Sequence, residues 1–339
     1  MKGVLLINLG SPEAPTPEAV KPYLDEFLMD ERVIDLPYPF RALLVKGIIL
    51  NTRPKKSAAA YKKIWWDEGS PLMVISKRTH KAIQERVTVP VELAMRYGNP
   101  SIESGLRKLY EQGIREVFLL PLYPQFAMAT TETILVLAEK LRQKHFPDMV
   151  FTTLPSFYNK KGYIDNLAQL MKEELSNYAF DHVLFSYHGV PERHIKKSDV
   201  TKSHCTIDNK CCVTPSKAHE FCYRHQCMET TRQVAEQLGL REDQYTNTFQ
   251  SRLGMDKWLQ PPTDETVRML AGKGVKRIAV VTPAFVADCI ETLEEIEMEA
   301  GSEFKEHGGE DFKMIPCLND RPQWMDEMAS WINQWITNS

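Results

Sequence analysis

The sequence predicts an α/β protein made of two similar halves, each a set of parallel strands alternating with helices. Three observations predict it. The phrase Val4-Leu5-Leu6-Ile7-Asn8-Leu9-Gly10-Ser11-Pro12-Glu13 returns 179 residues later as Val183-Leu184-Phe185-Ser186-Tyr187-His188-Gly189-Val190-Pro191-Glu192. A second echo, Gly113-Ile114-Arg115-Glu116-Val117-Phe118-Leu119-Leu120 against Gly274-Val275-Lys276-Arg277-Ile278-Ala279-Val280-Val281, is spaced by 161 residues. Both phrases are short apolar runs stopped by Gly or Pro, the pattern of strands buried on both faces and emptying into loops. Between them, strand-like and amphipathic stretches alternate.

The 339 residues suffice for two domains of ordinary size. A formal charge of −3 and the lack of any Lys/Arg block exclude nucleic acid as a partner. No stretch reaches the roughly 18 uncharged apolar residues that span a bilayer; the nearest, 39–50, is interrupted by Arg41 and Lys46. The start resembles a signal peptide only briefly, since its apolar run ends at Asn8 with no small-residue cleavage site after it. Strand one of a cytoplasmic protein is the expectation.

Residues 18–28 read as a helix with Leu24, Phe27 and Leu28 on one side. The aromatic, amphipathic stretch through Ile49, Tyr61, Trp65 and Trp66 reads as core and surface, or as a mobile lip that could rest on a membrane, peripherally on the inner membrane. Next come a strand at 92–96, a loop, a helix to Gln112, a strand at 117–120, a helix from about Thr131 and a strand at 150–154. The crossing between halves falls at 154–161, with a helix beginning at 158–162. The second half then holds the His188 strand, a cysteine-rich segment at 198–228, a helix through Glu236, a strand exit at 249–254 and a strand at 278–281. This gives a first domain of 1–157 joined by a last helix at 323–339, and a second domain of 158–322.

His188 stands where the first copy of the repeat has Leu9. In open α/β sheets ligands bind outside the carboxyl ends of strands, so this histidine is a site candidate. After the matching strand at 278–281, helical spacing puts Cys289, Ile290, Leu293 and Ile296 on a core face, with Asp288, Glu291, Glu295 and Glu299 in a stripe beside it. That stripe is either a solvated face or, at the same rim as His188, a site for a divalent metal. The other strand exits carry Arg96-Tyr97, Tyr123-Pro124-Gln125-Phe126 and Ser251-Arg252 with Trp258. No glycine-rich phosphate loop appears, which disfavours a nucleotide-dependent enzyme; aromatic walls with a few polar groups suit a large, flat, apolar ligand.

In six motifs the chain resembles the ferrochelatases, enzymes that insert ferrous iron into a porphyrin: Leu6-Ile7-Asn8-Leu9-Gly10-Ser11-Pro12, Arg96-Tyr97-Gly98-Asn99-Pro100, Leu122-Tyr123-Pro124-Gln125-Phe126, Phe185-Ser186-Tyr187-His188-Gly189-Val190-Pro191, Phe249-Gln250-Ser251-Arg252 with Trp258-Leu259, and Asp288-Cys289-Ile290-Glu291-Thr292-Leu293. The resemblance runs almost end to end. It implies two Rossmann-type, chelatase-like domains with a cleft between them, and protoporphyrin IX and Fe(II) as substrates. It implies His188 as the active-site histidine with Glu291 facing it, both handling pyrrole protons. Asp288 and Glu295 are implied as a metal or proton path, and Leu9, Arg96, Tyr97, Tyr123, Trp258 and Phe285 as substrate contacts. A chelatase for cobalt or nickel and a haem carrier that has lost catalysis are the competing readings; the His188/Glu291 pair speaks against the carrier. Monomer and homodimer both fit.

Five of seven cysteines, Cys205, Cys211, Cys212, Cys222 and Cys227, fall in one short segment, with His204, His219 and His225 among them. In a reducing compartment such density points to metal rather than disulfides, and four thiolates suit zinc or a [2Fe-2S] cluster. The resemblance favours the cluster, because many ferrochelatases carry one. Animal enzymes take three ligands from a C-terminal extension, whereas no cysteine follows Cys317 here. The expected ligands are therefore internal: Cys205, Cys212, Cys222 and Cys227, with Cys211 as the alternative.

Overall fold

The computed structural model describes residues 1–252 and 256–338; the expected strand exit at 249–254 thus lies partly outside the described residues. The chain divides into two compact units. Unit 1 is Met1–Tyr123, Met128–Pro155 and the chain from Asp320 onward; unit 2 is Pro124–Ala127 and Ser156–Asn319.

In unit 1 four parallel strands, β1 (Lys2–Asn8), β2 (Val91–Met95), β3 (Glu116–Pro121) and β4 (Val150–Thr153), lie in the order β2-β1-β3-β4. Val4, Leu5, Leu6 and Ile7 are all fully buried, because a central strand under helices has no solvent face. Leu5, Ile7, Leu106, Leu109, Leu119 and Ile134 form the core on one side of the sheet. Helix Pro17–Leu28 opens with Thr16 accepting the Ala19 N–H and a proline at its first position, where a missing N–H is harmless. The last helix, Pro322–Asn338, closes on the start of the chain: Trp335 stacks on Phe118 at 5.2 Å, and Lys2 donates to the Ile336 carbonyl at 2.7 Å.

Unit 2 repeats the plan with β5 (His182–His188), β6 (Tyr245–Gln250), β7 (Arg277–Val281) and β8 (Asp311–Met314), all parallel, in the order β6-β5-β7-β8. The repeated phrases are thus equivalent strands, β1 with β5 and β3 with β7. The chain leaves the central strand for one neighbour and returns to the other side, so each sheet has a switch point beside its central strand, where a crevice opens at the carboxyl ends. In unit 2 His188 occupies that position, paired in register with Gln250.

Among the described residues, no helix is long and apolar enough to cross a membrane. Among the described residues three segments are wound as π-helix, Leu43–Ile49, Met128–Glu132 and Glu291–Ala300. Apolar spacing does not foretell them, since a wide turn differs from an α-turn by one residue in its hydrogen-bond partner.

The β1 exit is tightly constrained. Gly10 has φ +109°, and a Cβ there would sit 1.9 Å from the Tyr97 carbonyl oxygen. Gly69, at φ +127°, has nothing within 4 Å of such a Cβ. Gly10→Ala should therefore destabilise the protein by more than the roughly 1–3 kcal/mol of backbone strain alone, and Gly69→Ala by no more than that strain. Denaturant midpoints of the two variants against wild type check it; equal shifts would show that the Tyr97 backbone yields freely.

Candidate active site at the β5 exit

Three strand exits of unit 2 build the site. At the end of β5 the half-buried His188 turns its Nδ1 to the Gly189 carbonyl at 2.7 Å. A carbonyl can only accept, so Nδ1 carries a proton, and in the neutral imidazole Nε2 is the nitrogen with the lone pair. Gly189 lets β5 and β6 approach: its N–H donates to the Gln250 carbonyl at 2.6 Å, and a Cβ would lie 2.8 Å from that oxygen. Tyr223 donates to the His188 carbonyl at 2.9 Å, fixing the turn from the other side. The Phe285 ring, from the loop after β7, lies at 6.4 Å from the imidazole with its edge turned toward it.

β6 delivers the partners of the acidic helix. The Gln250 side chain accepts from Ser186 at 2.9 Å and donates to the Glu291 carbonyl at 2.7 Å and to Glu295 Oε2 at 3.5 Å. Ser251, held at φ +61°, donates to Glu295 Oε2 at 2.5 Å. A non-glycine residue in that region is uncommon and marks an over-determined position. Burial raises the Glu295 pKa above the ordinary carboxylate range, and the nearby Glu291 adds to the rise. Ser251, Gln250 and the charge of His188 oppose it without cancelling it. The His188 imidazole at the β5 exit and a carboxylate of raised proton affinity on the helix after β7 therefore lie near one another.

The π-turn alters the stripe expected on the acidic helix. Glu291 and Glu295 stay together and partly buried, but Glu299 turns to the exposed side and Glu294 is buried instead. Asp288, also buried, has both oxygens engaged: Oδ1 accepts from Thr292 Oγ1 at 3.1 Å and the Cys317 N–H at 3.2 Å, and Oδ2 from Asn319 Nδ2 at 2.6 Å. Asn319 in turn accepts the Asp288 N–H at 2.9 Å. Asp288 thereby ties the loop after β7 to the loop after β8. Burial pushes up the thiol pKa values of Cys289 and Cys317.

The remaining sequence-predicted residues divide between the units. Trp258, in unit 2, is half-buried and bridges Pro191. Leu9, Arg96, Tyr97 and Tyr123 belong to unit 1. Arg96 pairs with Asp30 at 2.5 Å and stacks over Tyr97 at 4.3 Å. Tyr97 is fully buried and donates to the same carboxylate at 3.1 Å. Leu9 is half-buried, its carbonyl accepting the Tyr97 N–H at 2.8 Å, while Tyr123 packs on the unit 1 core.

The cysteine segment forms a small knot within unit 2. Cys211, Cys212, Cys222 and Cys227 are buried and Cys205 is half-buried; all are free thiols. Cys212 donates toward Cys222, which raises its own pKa and lowers that of its partner. His204 and His219 donate to the Cys211 carbonyl at 2.8 and 2.9 Å, and His225 to the Cys212 carbonyl at 2.7 Å. The rings of His219 and His225 stack at 3.6 Å. Despite its burial, Asp199 is held down to about 2 by hydrogen bonds from Thr201 and from the backbone of Thr201, His204 and Cys205. Among the described residues, no group of three or more His, Cys, Asp or Glu side chains is disposed to hold a single metal ion.

Ser251, Gln250 and Tyr223 are the residues that sequence reasoning did not assign roles. The first two stood in a quoted motif, and Tyr223 carried no signal beyond its place beside Cys222.

A model of the family described as ferrochelatase matches residues 1–335. The chain is 48% identical over 326 residues to a ferrochelatase of Pseudomonas syringae pv. syringae (strain B728a), covering 96% of this chain and 95% of that protein. It is 49% identical over 324 residues to a ferrochelatase of Ectopseudomonas mendocina (strain ymp), covering 95% and 94%. Among solved structures, SirB from Bacillus subtilis with Fe3+ superposes with a TM-score of 0.54 at 11% identity, covering 98% of this chain and 94% of that one; the likeness concerns the fold.

The Glu295 environment has a measurable consequence. Its carboxyl binds a proton more tightly in the native protein than in the unfolded chain, so its contribution to stability is full below the ordinary carboxyl pKa and is lost as pH rises through the raised one. Glu295→Gln should raise stability at pH 7–8 by about 0.5–2 kcal/mol, as relief of a strained functional group does, and the gain should shrink as pH falls toward 4.5. Thermal unfolding of both proteins across that range tests it; a pH-independent difference would show that ionisation of Glu295 carries no penalty.

Proposed function

This chain belongs to the ferrochelatase family, and from that premise we propose that it joins Fe(II) to protoporphyrin IX, with His188 and the Glu291/Glu295 pair moving the pyrrole protons. It is an enzyme, a porphyrin metal chelatase of haem synthesis. The observation that carries the residue assignment is that the His188 imidazole, its Nδ1 engaged by a carbonyl, lies near a partly buried carboxylate of raised proton affinity.

Metal insertion requires two N–H protons to leave the macrocycle and the ring to bend, so that nitrogen lone pairs point out of its plane. Binding energy from the rest of the macrocycle offsets a distortion of about 1–5 kcal/mol. His188 Nε2 accepts a pyrrole proton, and Glu295, poised above the ordinary carboxylate range, receives it onward with Ser251 holding its Oε2. Glu291 stands one turn earlier on the same helix, where it orients His188 or shares the relay. Asp288, with its oxygens already engaged, holds the loop that carries Phe285. In unit 2 Trp258 and Phe285 contact the macrocycle; in unit 1 Arg96 and Tyr97 shape the β2 exit through Asp30.

The cysteine segment has the donor type of a [2Fe-2S] cluster, five thiols with Cys212 and Cys222 in contact and backbone pinned by three histidines, but among the described residues its side chains are not gathered about one metal position. Cys205, Cys212, Cys222 and Cys227 would hold it. Such a cluster supplies a cross-link and a one-electron redox centre.

Phe40, Leu43 and Ile48 are 65, 68 and 60% exposed on the helical stretch that includes Tyr38–Ala42 and Leu43–Ile49, with Lys46, Arg53, Lys55 and Lys56 exposed nearby. Apolar side chains rimmed by cations suit an anionic membrane surface. A cytoplasmic protein resting peripherally on the inner membrane follows.

Two measurements test these assignments. Anaerobic mixing with Fe(II) and protoporphyrin IX should quench free-base fluorescence as metal enters; His188→Ala should still bind porphyrin but insert iron about 10²–10⁴-fold more slowly. Near-normal insertion by that variant removes His188 from the chemistry, and binding without turnover in wild type leaves the carrier reading standing. Vesicles containing phosphatidylglycerol should bind the wild-type protein and not Phe40→Ser/Leu43→Ser, whose activity with detergent-dispersed porphyrin is retained; equal sedimentation of both proteins refutes the membrane contact.

A further inference from the structure

We infer that Asn319 is a positioning residue for metal insertion: paired with Asp288 it forms a reciprocal clamp that sets Phe285 and the start of the acidic helix against His188, and the Asp288 carboxylate serves that clamp rather than a path for the metal. The role rests on the chelatase reading given above.

Three hydrogen bonds tie Asn319 to the loop after β7. Its backbone N–H donates to the Val286 carbonyl at 2.8 Å, its Nδ2 donates to Asp288 Oδ2 at 2.6 Å, and its Oδ1 accepts the Asp288 N–H at 2.9 Å. A backbone N–H only donates and a carboxylate only accepts, so the two ends of the Asn319 amide are not interchangeable. The residue stands at φ +51°, a left-handed conformation that asparagine and aspartate adopt more readily than other side chains.

The clamp acts on a stretch that is pinned on both sides of Phe285. Before it, the Pro283 carbonyl accepts from Tyr163, on helix Lys161–Leu175, at 2.6 Å. After it, Val286 and Asp288 are held by Asn319, and the Phe285 ring between them lies 6.4 Å from the His188 imidazole. Asp288 Oδ1 also accepts from Thr292 Oγ1 and from the Cys317 N–H. With three donors on its two oxygens and only 6% exposure, this carboxylate is committed to holding protein. The helix start is thus fixed from β6 by Gln250 at the Glu291 carbonyl, and from the loop after β8 by Asn319 at Asp288.

Phe285 helps to hold the bent macrocycle and Glu291 stands beside the proton path, so a shift of about 1 Å at either position costs on the order of 10²-fold in rate. Binding of the ground-state macrocycle, spread over many apolar contacts, changes far less.

The direction of one hydrogen bond separates a clamp from a metal path. Exchanging the two side chains, Asp288→Asn with Asn319→Asp, reverses the bond between them and keeps the rest: the amide at position 288 donates to the carboxylate at 319, its oxygen still accepts from Thr292 and Cys317, and the carboxylate still accepts the backbone N–H. Each single change breaks the clamp, since Asp288→Asn sets donor against donor and Asn319→Asp sets two carboxylates face to face.

The experiment uses the full chain as wild type, Asp288→Asn, Asn319→Asp, Asn319→Ser and the exchange. kcat and porphyrin KM are measured with anaerobic Fe(II), at a temperature where thermal unfolding shows every protein folded. Each single variant should lower kcat by about 10- to 100-fold with KM changed less than about threefold, and the exchange should recover kcat to within about threefold of wild type. If a single variant does not fold, Asn319→Ser, which loses the Nδ2 bond without adding a charge, and the exchange still decide. Wild type that binds porphyrin without inserting iron overturns the chelatase reading itself. Insertion by wild type with kcat kept in the single variants, a loss confined to KM, or an exchange that is unfolded or as slow as Asp288→Asn alone overturns the clamp and leaves the chelatase reading standing.

Discussion

The close approach of the β5 and β6 exits is the constraint on which the candidate site depends. With the Gly189 N–H only 2.6 Å from the Gln250 carbonyl, the two strands cannot separate, and no side chain larger than hydrogen fits between them. That contact fixes where His188 and the pair Gln250–Ser251 stand relative to each other. Gln250 then reaches the first turn of the acidic helix through the Glu291 carbonyl, and Ser251 reaches Glu295. Desolvation of Glu295 is tolerable only because these donors and the neighbouring imidazole compensate it.

The duplication shows how one scaffold carries two jobs. Both sheets have the same strand order, and both central strands end in a glycine that sits against the exit of a neighbouring strand: Gly10 against Tyr97 after β2, Gly189 against Gln250 at the end of β6. In unit 1 the residue before that glycine is Leu9, and the adjacent exit spends its polar groups on itself, with Arg96, Tyr97 and Thr133 all bonded to Asp30. In unit 2 the residue is His188 and the adjacent exit supplies donors to a carboxylate beside it. A change of a few side chains at equivalent positions replaces a closed ionic knot with an imidazole and a carboxylate of raised proton affinity.

The strands were legible because apolar runs stopped by glycine leave few alternatives, and the repeat doubled the signal. β2 begins one residue earlier than expected, at Val91, and the helix expected from 158 begins at Lys161. Nearness of His188 to the acidic helix was legible from fold rules, since both follow neighbouring central strands. The π-turn was not, because its apolar spacing over ten residues matches an α-helix closely, and for that reason Glu294 and Glu299 exchanged places. The engagement of Asp288 was hidden as well: its partners Cys317 and Asn319 lie 29 and 31 residues away, past another strand. Tyr97 shows the same difficulty, being an aromatic at a strand exit whose hydroxyl is committed to a carboxylate 67 residues earlier. Cysteine density was visible; the histidine contacts to the Cys211 and Cys212 carbonyls required coordinates.

Those contacts bear on why a metal-binding segment would sit where it does. Tyr223 follows Cys222, starts the helix that carries Cys227, and donates to the backbone carbonyl of His188. The carbonyl of Gly189, one residue on, sets the imidazole tautomer. Order in the cysteine segment is therefore passed to His188 through one tyrosine and one peptide unit. A cross-link joining Cys205 and Cys212 to Cys222 and Cys227 would restrain the start of that helix and with it the tyrosine.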